Sequence, residues 1–316
     1  MFEFARRLKR QFRFERAKLR VQRLEGNPII HPHLFKCDDG ANINGPSLIR
    51  TPDWLPGRLG NYYLYFGHHH GQYIRLAFAD QLTGPWTIYE PGTLHLSQVK
   101  TFCGHIASPD VHVNEARREI TMFFHGPLSG GNRQRSLMAR SKDGVSFQSV
   151  DRVIAPAYLR GIPWGSQWIG VSHGGRLHLS PDETDFIPVD SVSVGGDGEH
   201  IRHAALQIQG SALHIYYTCK GHAPERILRC SVALSADTDK WRIIGREEIL
   251  QPETPWEGAL LPLRPSKAGI ARHPENALRD PAIFEENDET FLLYSVAGES
   301  GIAIVRMESK APASTV

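Results

Sequence analysis

Short apolar runs separated by Gly, Asn, Asp and Pro turns recur along most of the chain. Near its end, a run over 278–284 is followed by the charged turn 285–289 and by further runs over 290–295 and 301–307. Runs of this length bounded by turn residues predict β-strands, and these three form an antiparallel meander. Pro281 suits the start of the first strand, because proline cannot donate to a ladder.

The same order of runs occurs earlier in the chain. Copies begin near Gly45, Ser108 and Arg202, and a degenerate copy lies around Trp164. Repeats of four short strands are typical of β-propeller blades, whereas a β-sandwich does not explain the recurring order. The pattern therefore predicts an all-β fold, a five-bladed β-propeller.

The propeller is expected to occupy residues 26–310, followed by a C-terminal tail over 311–316. One terminus of a closed propeller often completes a blade begun by the other. We expect the segment 27–36 to supply that closing strand to the blade of residues 279–307.

Residues 1–25 differ from the rest of the chain in charge. They hold nine Lys or Arg and three Glu, which leaves 27 basic and 31 acidic residues for the remainder. Phe4, Leu8 and Phe12 lie at helical spacing among basic residues, which predicts a basic amphipathic N-terminal helix. This helix either contacts an anionic membrane surface or a partner, or packs on the outside of the propeller. Because the basic charge is confined to one short arm, nucleic-acid binding is not expected.

Composition indicates a globular body, with 41% hydrophobic and 22% charged residues. No run is long and apolar enough to cross a bilayer, and the start of the chain lacks the apolar core of a secretory signal. The four cysteines form no CxxC pair, which suits free buried thiols in a reducing compartment. A cytoplasmic location is the resulting expectation.

The richest stretch for chemistry is 104–112. Asp110 and His112 share one side of a predicted strand, and His125 ends the next strand. The first strand of a propeller blade starts near the central axis, so these side chains and His105 are candidate site residues. The alternative is a turn or cap role for Asp110 and buried hydrogen bonds for the histidines.

Other candidates lie at strand starts and in the long connection after residue 250. Arg202 and His203 stand where an apolar strand begins. Trp164 and Trp168 either stack on sugar rings or belong to the core. Glu257 follows Trp256, whose apolar ring would raise the carboxyl pKa as a general acid requires, unless the Trp merely anchors the loop.

The adjacent histidines His68, His69 and His70 do not predict a metal centre. Neighbouring residues on a strand point to opposite faces, so the three cannot converge on one ion. We expect neither a metal nor a cofactor.

Several of these segments resemble the five-bladed β-propeller glycosidases, above all glycoside hydrolase family 43 and its relatives in families 32, 68, 117 and 130. The segment 279–284 is similar to their blade-opening Asp-Pro motif, and 107–112 to the Ala-Pro-Asp-Val-His blade of family 43. The segment 82–86 resembles the Gly-Pro-Trp strand of that family. The resemblance implies a carbohydrate-active enzyme, chiefly a glycoside hydrolase, acting on a small carbohydrate substrate.

Roles follow by resemblance, residue by residue. Asp110 and Asp280 are the candidates for water activation, and Glu257 is the candidate acid, with His203 as its substitute. The expected substrate-binding residues are Asn44, His105, His112, His125, Trp164, Trp168, Arg202 and Arg279.

The chain departs from the family pattern at the first blade. The Asp-Pro that supplies the base of family 43 is replaced by Asn44-Gly45-Pro46, so that carboxylate is missing. Two other functions therefore stay open. One is a phosphorylase in which phosphate replaces water, held by Arg and His side chains near the axis. The other is a sugar-binding propeller without catalysis.

Overall fold

The computed structural model describes residues 15–16, 19–36, 38–131, 133–195 and 199–309. These residues form β-strands and single-turn 3-10 helices, and this part of the chain contains no α-helix. In chain order the strands are β1 (Glu15–Arg16), β2 (Leu19–Arg23), β3 (Asn44–Arg50), β4 (Tyr62–Gly67), β5 (Tyr73–Ala79), β6 (Thr87–Ile88), β7 (Leu94–His95), β8 (Ala107–Asn114), β9 (Glu119–Pro127), β10 (Gln134–Ser141), β11 (Gln148–Pro156), β12 (Arg160–Trp164), β13 (Gln167–Ser172), β14 (Arg176–Ser180), β15 (Ile187–Ser193), β16 (His200–Gln209), β17 (Ala212–Lys220), β18 (Ile227–Ala233), β19 (Arg242–Leu250), β20 (Arg279–Glu286), β21 (Glu289–Ser295) and β22 (Ile302–Ser309). The 3-10 helices are Pro32–Leu34, Asp38–Ala41, Leu96–Gln98, His173–Gly175, Thr238–Lys240 and Pro255–Glu257.

The strands form five sheets, each of which is one blade of a propeller. Blade I contains β3 to β6, with β7 also paired to β5; blade II contains β8 to β11, and blade III β12 to β15. Blade IV contains β16 to β19, and blade V contains β20 to β22 together with β2. The predicted all-β five-bladed propeller is confirmed, including the degenerate third copy.

The N-terminal part of the chain closes the ring. Strand β2 pairs antiparallel with β22, so it is the outermost strand of blade V. Strand β1 pairs in parallel with β19, the last strand of blade IV. The expected closing segment 27–36 is wrong in position, because it contributes only the bridge of Ile30 to Ile302. Of the helix expected over 1–25, the described residues 15–16 and 19–23 are strand instead, whereas residues 1–14 and 17–18, which include Phe4, Leu8 and Phe12, lie outside the described part of the chain.

Hydrophobic clusters lie between neighbouring blades all the way round the ring. One cluster joins blades I and II through residues such as Tyr65 and Met122, and another joins blades III and IV through Val171 and Ile215. Three more join blades V and I, IV and V, and II and III. A blade covered on both faces has no solvent face, so its middle strands are apolar runs without alternation, as in fully buried β4.

Each blade begins with a four-residue opening segment of shared geometry. In blades I, II, IV and V, the ladder between the first two strands shifts register across this segment. In blade III, His173 N donates to Ala157 O and Arg160 pairs with Val171, which gives the same spacing. The five opening segments are therefore 44–47, 107–110, 157–160, 201–204 and 279–282.

Candidate active site

The opening segments converge at one end of the central axis. The residues at their second positions are Gly45, Ser108, Tyr158, Arg202 and Asp280, and all but Arg202 have positive φ. A φ near +60° is rare for residues with a Cβ, and such strain clusters at functional sites. We call this end of the axis, defined by the five second-position residues, the axial mouth.

Asp280 and His203 form a contacting pair at the axial mouth. The Asp280 side chain is buried and its Oδ1 contacts Nδ1 of His203, while Ser295 Oγ donates to Oδ2 at 3.1 Å. In this arrangement Nδ1 carries the proton shared with the carboxylate, which leaves Nε2 as the unprotonated nitrogen. Nδ1 of His203 and Oδ1 of Asp280 are both buried, and neither has another hydrogen-bond partner within the described residues. The pair therefore has the geometry of a carboxylate-oriented base.

Tyr158 connects this pair to the histidines of blades II and III. Its ring centroid lies 4.4 Å from that of His203, 3.8 Å from His125 and 5.6 Å from His173. Burial lowers the pKa of His125 well below its ordinary value, and neighbouring His105 and Arg160 lower it further. Burial also raises the pKa of Tyr158, so its hydroxyl stays protonated. The side of the mouth formed by Tyr158 and His125 is thus aromatic and uncharged at neutral pH.

Two arginines of the opening segments meet a fully buried carboxylate. Arg202 Nε donates to Glu225 Oε1 at 2.9 Å, and Arg279 Nε donates to Glu225 Oε2 at 3.0 Å. Arg279 also bonds Glu299 at 3.2 Å and Glu275 at 2.5 Å. Three carboxylates therefore surround two guanidinium groups, so this cluster supplies no surplus positive charge to the mouth.

Glu299 extends that cluster to blade I. Its carboxylate accepts from Asn42 Nδ2 at 2.5 Å and contacts His69 Nδ1 at 3.3 Å, and Asn44 Nδ2 donates to Asn42 Oδ1 at 2.7 Å. Burial alone would raise the pKa of Glu299, but the bonds and charges of His69, Arg279 and Asn42 outweigh it and lower the pKa to about 2. Asn44, expected to bind substrate, is buried in this network.

Asp110 lies at the fourth position of its opening segment, so it is not the equivalent of Asp280. Its Oδ2 accepts from Gly161 N at 2.8 Å and contacts His112 Nε2 at 3.0 Å, while Arg160 Nη1 lies 3.7 Å from Oδ1. Burial would raise its pKa, yet His112 and Arg160 lower it. Asp110 and His112 line an axial cavity of about 160 Å³ whose walls come from all five blades.

The structure separates the remaining predicted residues from the mouth, with one exception. His105 stays there, its ring 6.4 Å from His125, and burial lowers its pKa to about 4. Trp168 packs on His112 with centroids 5.0 Å apart, between blades II and III. Trp164 is partly buried and packs on Trp241, with ring centroids 5.6 Å apart, against the core between blades III and IV.

Glu257 occupies a structural position on the rim of blade V. It is fully buried, and its two oxygens accept from Arg23 Nε and Nη2 at 3.0 Å each and from the Tyr294 hydroxyl at 2.8 Å. The backbone N–H groups of Glu253 and Thr254 donate to it as well, which forms a capping box. A carboxylate without exposed surface cannot protonate a substrate, so the expected role of Glu257 as acid conflicts with its position.

Sequence reasoning missed Tyr158, Arg160, Glu225, Ser295 and Glu299. The opening segment of blade III carries no proline, so neither Tyr158 nor Arg160 stood out. Glu299 stands between Gly298 and Gly301, and a carboxylate in a Gly-rich turn was a usable signal.

Among the described residues, no group of three or more His, Cys, Asp or Glu side chains is arranged to hold a metal ion. No helix in the described ranges is long and apolar enough to span a membrane.

Comparisons with known proteins identify relatives of the sequence and of the fold. No protein-family model matches the chain. It is 37% identical over 324 residues to the uncharacterized protein R118 of Acanthamoeba polyphaga mimivirus, covering 92% of this chain and 91% of that protein.

Solved structures of family 43 glycoside hydrolases share the fold. A thermostable family-43 enzyme superposes with a TM-score of 0.60 at 13% identity, covering 86% of this chain and 93% of that one. An α-L-arabinofuranosidase from Lactobacillus brevis gives 0.61 at 10% identity, with coverage of 89% and 92%. The GH43_1 enzyme from Xanthomonas citri complexed with xylotriose gives 0.58 at 10% identity, with coverage of 87% and 88%. The family 43 resemblance of the sequence is confirmed at the level of fold.

Proposed function

The chain belongs to the same family as the mimivirus protein R118 and folds like family 43 glycoside hydrolases, and from this premise we propose that it is a carbohydrate-active enzyme that hydrolyses small glycosides or oligosaccharides. The observation that carries the proposal is the Asp280–His203 pair at the axial mouth. A carboxylate held in a strained backbone conformation beside an imidazole with a free nitrogen is suited to proton transfer.

His203 is the base in this proposal, and Asp280 orients it. Nε2 accepts a proton from the attacking water while Asp280 stabilises the imidazolium that forms. Tyr158 is the proposed donor to the departing oxygen, because its hydroxyl is protonated and has no hydrogen-bond partner in the described part of the chain. The oxygen of the attacking water forms the new bond to the anomeric carbon as the glycosidic C–O bond breaks.

Asp110 supplies negative charge deeper along the axis. Its lowered pKa keeps it ionised at neutral pH, so it is not a proton donor. An ionised carboxylate favours the positive charge that develops on the sugar during bond cleavage. Asp110 therefore stays in the proposal as an electrostatic group, with His125 and His105 as hydrogen-bonding partners for sugar hydroxyls.

The phosphorylase alternative loses its main support at Arg202 and Arg279. Both guanidinium groups are committed to buried carboxylates, and the cluster of two arginines with Glu225, Glu275 and Glu299 carries net negative charge. A phosphate placed there would meet repulsion rather than attraction. Hydrolysis is favoured for this reason.

The test is a panel of furanosides, pyranosides and short oligosaccharides, incubated with and without phosphate, with products read by mass. We expect free sugar in phosphate-free buffer. His203→Gln and Asp280→Asn should each lower kcat by about 10²-fold or more, the usual contribution of a positioned base. Asp53→Asn, at a fully exposed carboxylate, is the matched control and should leave kcat unchanged.

Circular dichroism and the urea midpoint would establish that each variant is folded. If calorimetry detects sugar binding but no product forms, the protein would be a sugar-binding propeller rather than an enzyme. Product formation by folded His203→Gln at the wild-type rate would remove His203 from the mechanism.

A further inference from the structure

The long connection between blades IV and V forms a cavity of its own beside the mouth. Residues 261–277 line a pocket of about 360 Å³, which is large enough for a sugar residue. The connection contains no strand, and three prolines (Pro262, Pro265 and Pro274) restrict its backbone. We call this cavity, lined by residues 261–277, the basic pocket.

Three side chains give the basic pocket its charge: Arg264, Lys267 and Arg272. Within the described residues none of them pairs with a carboxylate. Glu275 is the acidic lining residue, and its carboxylate is bonded to Arg279 at 2.5 Å. The pocket therefore has a surplus of positive charge, in contrast to the Arg202–Arg279 cluster.

Hydrogen bonds to backbone atoms of the connection hold the basic pocket at the rim of the axial mouth. Arg202 donates to the carbonyl oxygen of Lys267 and, at 3.5 Å, to that of Gly269. Ala271 N donates to Glu299 Oε2 at 3.3 Å, and Gly221 N donates to Ser266 O at 3.0 Å. A substrate bound at the mouth thus has the basic pocket beside it on the side of blades IV and V.

We propose that the basic pocket binds an anionic group carried by the carbohydrate substrate, namely a uronic acid carboxylate or a sulfate or phosphate ester. The inference rests on the proposed function of the mouth. Arginine and lysine form charge-assisted hydrogen bonds to such groups, and an uncompensated pair of guanidinium groups has no other partner there. Free phosphate is the other source of the same chemistry, and the experiment distinguishes the two.

The test uses a pool of uronic-acid oligosaccharides, half of it methyl-esterified so that only the charge is removed. Native mass spectrometry measures which members bind the full-length protein. We expect the free acids to bind at least about tenfold more tightly than the esters, with an advantage that falls as salt is raised. The triple variant Arg264→Ala, Lys267→Ala, Arg272→Ala should abolish this advantage. Lys100→Ala with Arg242→Ala, two exposed cations outside the pocket, should keep it.

Equal binding of acids and esters by the wild-type protein would overturn the proposal. Saturable binding of inorganic phosphate that the triple variant abolishes, together with cleavage that requires phosphate, would assign the pocket to a free anion instead. Unchanged kcat/KM of the triple variant on neutral glycosides is expected, because the mouth is intact. Cleavage of neutral glycosides without any preference for acids refutes this inference alone, whereas preferential binding of acids without cleavage refutes the hydrolase alone.

Discussion

Replacement of Arg23 by alanine tests whether Glu257 is structural or catalytic. The side chain of Arg23 joins the closing strand β2 to Glu257 by two hydrogen bonds of 3.0 Å, and the carboxylate has no exposed surface. Removing one partner of a buried pair leaves an uncompensated charge and costs about 3–5 kcal/mol. Arg23 is 20% exposed, and Glu257 still accepts from three other donors in the variant. We therefore expect a loss of unfolding free energy at the lower end of this range, about 3 kcal/mol.

The assay is urea unfolding followed by tryptophan fluorescence. With an m-value of about 3 kcal/mol/M, that loss moves the midpoint by about 1 M. Arg306→Ala is the matched control in the same blade, since its pairs with Glu289 and Glu308 are partly exposed and contribute about 1 kcal/mol or less. Glu257→Gln should lose stability as Arg23→Ala does, and the double variant should lose less than the sum.

Activity measurements complete the comparison. At temperatures where the variants are folded, Glu257→Gln should retain turnover, because the carboxylate does not reach the mouth. A Glu257→Gln protein with wild-type stability and no turnover would refute the structural interpretation. So would an Arg23→Ala loss no greater than that of Arg306→Ala.

Three further outcomes follow from the described geometry. Stability should fall as pH decreases from about 6.5 to 4. Burial lowers the pKa of His178 to about 4, so over this range the unfolded chain binds the proton more readily than the folded chain does. A constant urea midpoint over this range would contradict this prediction. The decline should continue below pH 4.5, because the pKa of Glu299 is about 2 and its stabilisation, present above the unfolded value, is lost as pH approaches 2; Glu299→Gln should flatten this limb. Gly45→Ala should lower the free energy of unfolding by about 2 kcal/mol or more, since φ is +61° and the new Cβ would lie 3.2 Å from the Cα of Ser108. Gly57→Ala, at φ +62° in open space, should lower it by about 1 kcal/mol. Equal losses would show that crowding at the mouth is unimportant.

The fold was predictable because each blade repeats one local pattern. Apolar runs such as 62–67 and turn residues between them identify strands without any knowledge of tertiary contacts. The closing strand was not predictable in the same way. The helical spacing of Phe4, Leu8 and Phe12 was extended to residue 25, whereas Leu19 and Val21 alternate with Arg20 and Gln22, and pairing with β22 makes residues 19–23 a strand.

The site was predictable only in part, because register is invisible in a single sequence. Asp110 and Asp280 both flank a proline, yet Asp280 precedes its proline and Asp110 follows it. The register shifts place them at different positions of the opening segment, one at the mouth and one in the axial cavity. Tyr158 and Glu225 were missed because their importance depends on contacts between blades, which no local pattern contains.

The residues at the second positions of the five opening segments differ in chemistry although the segments share one backbone geometry. Of the five, Asp280 alone is a carboxylate, and blade I, where the family 43 resemblance expects the base, has Gly45. The missing side chain widens the mouth on that side, since any Cβ at Gly45 would press on Ser108. The pair of His203 and Asp280 belongs to blades IV and V, and the basic pocket adjoins the same two blades. In the proposed mechanism the base and the anion-binding site therefore lie together on the side of blades IV and V, which requires the reacting bond and the anionic group to lie on one edge of the sugar.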